Sequence, residues 1–160
     1  ENILCRNSLK SILVIDFGLS SFFTPNELLK APCGTLSYVA PEILKGKGYG
    51  KNVDLWSLGV ILYVMLRGKL PFDSKDKSVL IRKIINGKYS MKNDIWLNIS
   101  ENCKNLISHL LTVNPRKRIN AQNALKHEWF NDINNVNNDL DALNEIKECD
   151  EDDDDDNIDD

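Results

Sequence analysis

The chain has no apolar run long enough to cross a membrane as a helix. Its most apolar stretch, residues 55–66, is shorter than the roughly 18 residues that a membrane span requires, and Ser57 and Gly59 interrupt it. The chain also lacks an initiating Met and a basic-then-apolar leader, so we expect further residues to precede Glu1. The lack of a membrane-spanning run favours a soluble protein, and we expect a cytoplasmic one.

Cysteine is scarce, and its spacing argues against two kinds of site. Cys5, Cys33, Cys103 and Cys149 form no C-x-x-C pair, so they suit neither a zinc site nor a dense disulfide framework. They are typical of free thiols in a reducing compartment. Because 42% of the residues are hydrophobic, we expect a packed core to stabilise one globular unit.

The net charge of −4 belongs to the C-terminal tail. Asp150–Asp160 carries nine acidic residues, which leaves 20 basic and 15 acidic residues in 1–149. That surplus of positive charge is modest, and the predicted helices bury apolar faces, so nucleic-acid binding is disfavoured. We expect residues 131–160 to be an Asn/Asp-rich, mostly disordered tail with at most a short helix at 139–147. No register of the tail supplies the Gly and Glu of an EF-hand loop, which disfavours calcium binding there.

Hydrophobic patterns predict a mainly α-helical fold that begins with a short β-hairpin. The hairpin is predicted from β-prone runs at 3–5 and 11–15. Residues 53–66 are apolar nearly all round, which predicts a central helix that is buried on every side. Ser100 is a predicted N-cap, followed by an apolar stripe at Cys103, Leu106, Ile107, Leu110 and Leu111. Helices are thus expected at 76–86, from Ser100 to Asn114, and at 120–127, followed by Trp129 and Phe130 as hydrophobic anchors.

The long connection between Asp16 and Glu42 is the first place to look for chemistry. Polar, Gly and Pro residues interrupt every apolar pattern there, and such a connection is usually functional or disordered. It starts with Asp16-Phe17-Gly18 and ends with Ala40-Pro41-Glu42. D-F-G alone is common, but D-F-G, an irregular loop and A-P-E in this order and spacing resemble a protein kinase activation segment. The resemblance extends over residues 1–130.

The resemblance implies the C-terminal lobe of a serine/threonine kinase that uses ATP and Mg²⁺. Asn2 resembles the end of the H-R-D-x-x-x-x-N loop, so Asn2 and Asp16 correspond to the magnesium ligands. Leu4, Ile15 and Gly18 correspond to residues of the nucleotide pocket, with Leu4 beneath the adenine. Each has a simpler interpretation: Asn2 as a cap or turn residue, Asp16 as a turn at a strand end, and Leu4 and Ile15 as plain core residues.

The same resemblance assigns residues to the protein substrate. Thr35, in Cys33-Gly34-Thr35, would support the catalytic Asp by hydrogen bonding, although a turn-stabilising role remains an alternative. Leu36 and Val39 would form an apolar socket for the residue after the target hydroxyl. Glu1 would bind a basic side chain upstream of that hydroxyl.

Five further residues correspond to structural positions of kinases. Asp54, Trp56 and Gly59 match the D-x-W-x-x-G of the central helix, whose Asp ties that helix to the catalytic loop. Glu42 and Arg118 match the paired charges that join the activation segment to the lower lobe. A buried pair would contribute positioning, and an exposed salt bridge is the alternative.

Finer features resemble the calcium/calmodulin-dependent group, most closely the calcium-dependent protein kinases of plants and protists. They include Gly68-x-x-Pro71-Phe72 and the run 96–101. Ala31 stands where many kinases carry a phosphorylated Thr, so activation by phosphorylation there is not expected. The resemblance implies a calcium-sensing regulatory domain in the full-length protein.

Several kinase parts are missing from these residues. There is no G-x-G-x-x-G loop and no V-A-I-K lysine, and the catalytic Asp would lie upstream of Glu1. We therefore interpret residues 1–130 as a partial kinase domain that is inactive without its N-terminal lobe. A pseudokinase-like helical module that binds partners is the alternative, but a pseudokinase usually loses its metal ligands, and Asn2 and Asp16 are both present.

Overall fold

A computed structural model describes residues 2–6, 8–22, 24, 27–31 and 33–131. Its elements in chain order are β1 (Ile3–Arg6), β2 (Ser8–Val14), α1 (Pro41–Leu44), α2 (Asn52–Arg67), α3 (Lys77–Ile85), α4 (Glu101–Leu110), α5 (Ala121–Ala124) and α6 (Glu128–Asn131). Short 3-10 turns lie at Leu36–Tyr38 and Asp94–Leu97. The prediction of a mainly helical fold with one hairpin is confirmed. The tail predictions for 132–160 lie outside the described residues.

The hairpin has the predicted place, with longer strands than expected. β1 and β2 pair in antiparallel register, Ile3 opposite Val14 and Leu4 opposite Leu13, with an irregularity between Cys5 and Arg6. The side chains of Leu4 and Leu13 are about half exposed. A two-stranded sheet is marginally stable alone, so this ribbon needs packing beyond itself.

Helix α2 forms the centre of the core, but burial on every side was the wrong expectation. Trp56, Val60 and Leu66 are buried, whereas Leu58 is 46% exposed and Met65 is 53% exposed. The physical reason is that α4 and the segments around it cover one face of α2, and the described residues leave the other face open.

Gly59 sets the distance between α2 and α4. A Cβ at this position would lie 2.8 Å from Leu110 Cβ and 3.0 Å from Leu111 Cδ2. Contacts this short would force the helices apart. The Gly59 predicted from the D-x-W-x-x-G pattern therefore permits a close helix crossing.

The Ser100 cap predicted for α4 is confirmed, and α3 ends at Ile85, one residue before the predicted end. Ser100 Oγ accepts a hydrogen bond of 3.2 Å from the Cys103 amide, and Gly87 ends the α3 region with a φ of 60°. The predicted apolar stripe of α4 is buried throughout. Helix α4 nevertheless ends at Leu110, earlier than predicted, because Leu111 leaves helical geometry and its side chain joins the core.

The C-terminal helix prediction was too long. Residues 120–127 contain only the single-turn α5, which the Asn120 side chain caps by accepting from the Asn123 amide at 2.9 Å. Trp129 on α6 is buried, as expected of an anchor, but Phe130 is 47% exposed. Phe130 is therefore not the predicted anchor, because α6 turns only Trp129 toward the core.

Two further predictions can be compared with the described residues. Cys33 and Cys103 are free thiols, as expected. None of the helices in the part of the chain that is described has the length and apolarity needed to traverse a bilayer.

Candidate functional site

The hairpin register places the backbones of the two predicted metal ligands, Asn2 and Asp16, near each other at one end of the ribbon. Beyond the Ile3–Val14 pair, the Ile15 amide donates a 2.9 Å hydrogen bond to the Asn2 carbonyl. Asp16 therefore follows directly on the residue that faces Asn2. Both residues are exposed, so their side-chain oxygens are accessible to a cation. Two such oxygen donors are the ligand type that magnesium prefers.

Asp16 occupies an unusual backbone conformation. Its φ of 62° lies in the left-handed region, which Asp and Asn tolerate better than most residues. Its Oδ1 accepts a 3.1 Å hydrogen bond from the Gly18 amide. A Cβ on Gly18 would lie only 3.0 Å from that oxygen, which accounts for glycine at this place in the motif. The turn fixes the carboxylate at the mouth of the loop.

The remaining predicted pocket residues lie on the same ribbon. Ile15 is half-buried, whereas Leu4 is 45% exposed. Both positions leave apolar surface open beside the Asn2 and Asp16 end of the hairpin. Glu1 lies outside the described residues.

A cleft of about 560 Å³ joins this turn to the centre of the fold. Its lining includes Asp16, Thr35, Val39, Lys51 and Asp54. The structure thus brings together the D-F-G aspartate, the threonine of Cys-Gly-Thr and the aspartate of α2, which are far apart in the sequence. Partial desolvation by the surrounding protein raises the pKa of the Asp54 carboxyl.

The two residues of the predicted apolar socket differ in exposure. Val39 is 7% exposed and lines the cleft wall, whereas Leu36 is half-buried and packs against the main core. The Ser57 hydroxyl on α2 donates a 2.9 Å hydrogen bond to the Tyr38 carbonyl between them. This bond fixes the segment on α2, and the contact with a substrate remains a prediction.

Tyr49 anchors the irregular loop, and the sequence analysis missed it. Leu29 and Tyr49 exchange backbone hydrogen bonds of 2.9 Å, and the Tyr49 hydroxyl donates at 2.6 Å to the Ala31 carbonyl. The Cys33 sulfur lies 3.7 Å from the same hydroxyl. The ring is buried, and burial raises the pKa of the Tyr49 hydroxyl. Tyr49 therefore stabilises the loop at Ala31.

Glu42 and Arg118 form a buried, two-pronged ion pair. Arg118 Nη1 and Nη2 lie 2.8 and 2.9 Å from the two Glu42 carboxylate oxygens. Nη1 also donates to the Asn52 carbonyl at 2.7 Å, and Nε donates to the Thr112 carbonyl at 2.9 Å. The guanidinium carbon lies 5.2 Å from the centre of the buried Trp56 ring. Arg118 thus joins the end of the loop to α2 and to the segment after α4.

Comparison with known sequences agrees with this arrangement. The family profile described as "Protein kinase domain" matches residues 1–130. The chain belongs to the protein kinase family. Its D-F-G turn, the loop that Tyr49 anchors and the Glu42–Arg118 pair are therefore parts of a kinase C-terminal lobe.

Individual relatives are named as serine/threonine kinases. Serine/threonine-protein kinase ppk25 of Schizosaccharomyces pombe is 44% identical over 130 residues, which is 81% of this chain and 30% of that protein. The probable serine/threonine-protein kinase fhkD of Dictyostelium discoideum is 44% identical over 148 residues, 82% of this chain and 20% of that protein. The serine/threonine-protein kinase H1 homolog of Danio rerio is 44% identical over 120 residues, 74% of this chain and 28% of that protein. The chain spans less than a third of the length of these relatives.

Proposed function

We propose that the protein containing this chain transfers the terminal phosphoryl group of ATP to Ser or Thr hydroxyls of proteins. The observation that carries the proposal is that the hairpin pairs Asn2 with Ile15, the residue before Asp16, beside a cleft lined by Asp16 and Thr35. A kinase needs little covalent chemistry from the protein, so positioning and charge stabilisation are the main tasks. The names of the relatives support the same reaction.

Each of the site residues has a defined task in this proposal. Asn2 and Asp16 would hold Mg²⁺, which neutralises charge on the phosphates when bound. The Asp16–Gly18 hydrogen bond keeps the carboxylate oriented before the ion arrives. Leu4 and Ile15 provide apolar surface for the adenine, and Thr35 orients the general base.

A polypeptide of residues 1–160 alone is expected to transfer no measurable phosphate. The lysine that binds the ATP phosphates and the catalytic Asp have no counterpart within these residues. The test is incubation with labelled ATP, Mg²⁺ and a mixed peptide library, with the full-length protein measured in parallel. Transfer by the short polypeptide that disappears in Asp16→Ala would contradict the expectation.

The alternative is a module that binds partners without catalysis. The open face of α2, with Leu58 and Met65 exposed, favours a covering partner or domain. The presence of both metal-ligand residues favours the enzyme. An inactive full-length protein that does not bind Mg²⁺-ATP would support the module instead.

At a finer level, we propose that the full-length protein is regulated like a calcium-dependent protein kinase, and that the loop between Asp16 and Glu42 needs no phosphorylation for activity. The hydrogen bond from Tyr49 to the Ala31 carbonyl supports this idea, because it anchors the loop without a charged group. A calcium-sensing domain elsewhere in the full-length protein would then control activity. Calcium chelation that leaves the full-length activity unchanged would remove the calcium part of the proposal.

Tyr49→Phe in the full-length protein is expected to lower activity several-fold with little loss of stability. The change removes one neutral hydrogen bond, which contributes about 1 kcal/mol. Tyr63→Phe is the matched control, because its hydroxyl also donates to a backbone carbonyl, that of Ser90, at 2.7 Å. Equal activities of the two variants would show that Tyr49 does not position the loop.

Substrate preference is expected to be moderately basic upstream of the target and apolar after it. Glu1 provides one carboxylate, and Val64 occupies the α2 position where strongly basophilic kinases carry a second. The Leu36 and Val39 socket should favour an apolar residue by about 1–3 kcal/mol. A positional-scanning peptide library tests both preferences on the full-length protein, with Glu1→Gln as the control. An Arg preference that survives Glu1→Gln, or a preference for acidic sites, would contradict the assignment.

A further inference from the structure

A groove of about 730 Å³ lies outside the candidate site, between the end of α2 and the helix α3. Its lining contains one acidic side chain, Asp73, and five basic ones: Arg67, Lys69, Arg82, Lys83 and Lys88. The groove is therefore strongly positive, although the described residues as a whole carry both signs of charge.

The positive charge of the groove is not neutralised locally. No carboxylate in the described part of the chain lies within ion-pair distance of these five cations. Lys83 Nζ donates to the backbone carbonyl of Asp73 at 2.6 Å, which orients the ammonium group without cancelling its charge. A groove with this excess of positive charge concentrates ligands of negative charge.

Helix dipoles explain only part of this arrangement. Arg67, Arg82 and Lys83 lie in the last turns of α2 and α3, where cations interact favourably with the helix C-terminus. Lys69 follows Gly68, just beyond α2, and Lys88 follows Gly87, just beyond α3. Both lysines lie outside the helices, yet they line the same groove. The convergence of five cations from two helix ends and two loops therefore points to an anionic ligand.

The rest of the lining suits a peptide. The half-buried Leu70 and Tyr89 provide apolar and aromatic surface, and the buried Tyr63 ring lies beside Tyr89 with 6.0 Å between the ring centroids. A chain with several carboxylates and an occasional apolar side chain would match both the charge and this surface.

We propose that this groove binds an acidic peptide, and that the occupant is the tail of the same chain, Asp150–Asp160. The tail carries nine acidic residues around the single apolar Ile158, which complements the groove. Residues 132–149 separate the tail from the described lobe. At about 3.3 Å per residue they could extend on the order of 60 Å, which exceeds the diameter of a lobe of this size. The proposal does not depend on kinase activity.

Zero-length carbodiimide cross-linking of the full-length protein tests the proposal, because it joins a Lys amine to an Asp or Glu carboxyl group only when the two groups come into direct contact. Peptide mapping is expected to find residues 150–160 linked to Lys69 and Lys88. Lys75 and Lys77 are matched controls, since both are exposed near the start of α3 but do not line the groove. The double variant Arg67→Gln, Arg82→Gln keeps both reactive lysines and is expected to lower the yield about fivefold. High salt should lower it as well.

Each outcome decides the question. Links to Lys69 and Lys88, several-fold above those to Lys75 and Lys77 and sensitive to the double variant, support the proposal. Equal links to all four lysines would indicate unspecific attraction and overturn it, as would an absence of links. A mixture of ¹⁴N- and ¹⁵N-labelled protein identifies the source of the tail. Links that are mainly between labels would assign the occupant to a second copy and overturn the same-chain assignment.

Discussion

Asp16→Asn in the full-length protein is expected to lower phosphoryl transfer on the order of a thousandfold while the melting temperature stays unchanged. A metal ion contributes several kcal/mol of charge stabilisation in the transition state, and each 1.36 kcal/mol corresponds to about tenfold in rate. Loss of the charged ligand should remove most of that contribution.

The choice of Asn separates the metal role from the structural one. Asn tolerates the left-handed conformation of residue 16, and its side-chain oxygen can still accept from the Gly18 amide. The turn should therefore persist, and only the charge is lost. Asp16→Ala, which also removes the acceptor, should be inactive too, with a protein level near that of the parent because the residue is exposed.

Steady-state kinetics over a range of Mg²⁺ concentrations provide the measurement. Asp94→Asn is the matched control, an exposed aspartate that does not line the cleft, and it should keep the parental rate. If Asp16→Asn turned over substrate at the parental rate, Asp16 would have no role as a metal ligand.

The parts of the fold that the sequence predicted are those fixed by local interactions. Ser100 caps the helix that follows it, because a cap needs only a side chain and an amide two or three residues away. The stripe of α4 follows the helical period, so its buried face could be predicted. The hairpin was also predictable, because its two β-prone runs are neighbours in the sequence.

The errors concern burial, which depends on what packs against an element. Leu58 and Met65 belong to an apolar helix, yet no part of the described structure covers them. Phe130 follows Trp129 directly, and neighbouring residues on a single helical turn point in different directions. Only Trp129 is therefore buried against the core. Apolar composition alone could not distinguish these positions from core positions.

The candidate site was predictable through its motifs, whereas its supporting contacts were not. D-F-G and A-P-E locate Asp16 and Glu42, but the bond from Tyr49 to the Ala31 carbonyl has no sequence signal, since every residue offers a carbonyl. The basic groove has a weak signal in the sequence, because its cations lie in or just after the last turns of two helices, which end at Arg67 and Ile85. Only the fold, which places the end of α2 and the helix α3 along one groove, brings them together.

Arg118→Ala is expected to destabilise the lobe by on the order of 3–5 kcal/mol and to abolish phosphoryl transfer by the full-length protein, although Arg118 does not line the cleft. Removing one partner of a buried pair leaves the other as an uncompensated charge. Glu42 is 8% exposed and Arg118 is 4% exposed. The change would also leave the Asn52 and Thr112 carbonyls without their donors.

Thermal unfolding and activity of the full-length protein should be measured together for three variants. Arg118→Lys keeps the charge but cannot form the two-pronged contact, so an intermediate loss is expected. Lys104→Ala is the control: its pair with Glu101, at 2.8 Å, involves a glutamate that is 88% exposed, and such pairs contribute about 0–1 kcal/mol. If Arg118→Ala had the same melting midpoint as Lys104→Ala and kept its activity, the Glu42–Arg118 pair would stabilise the lobe no more than an exposed salt bridge does. The loop would then be held in place by Tyr49 and Ser57 instead.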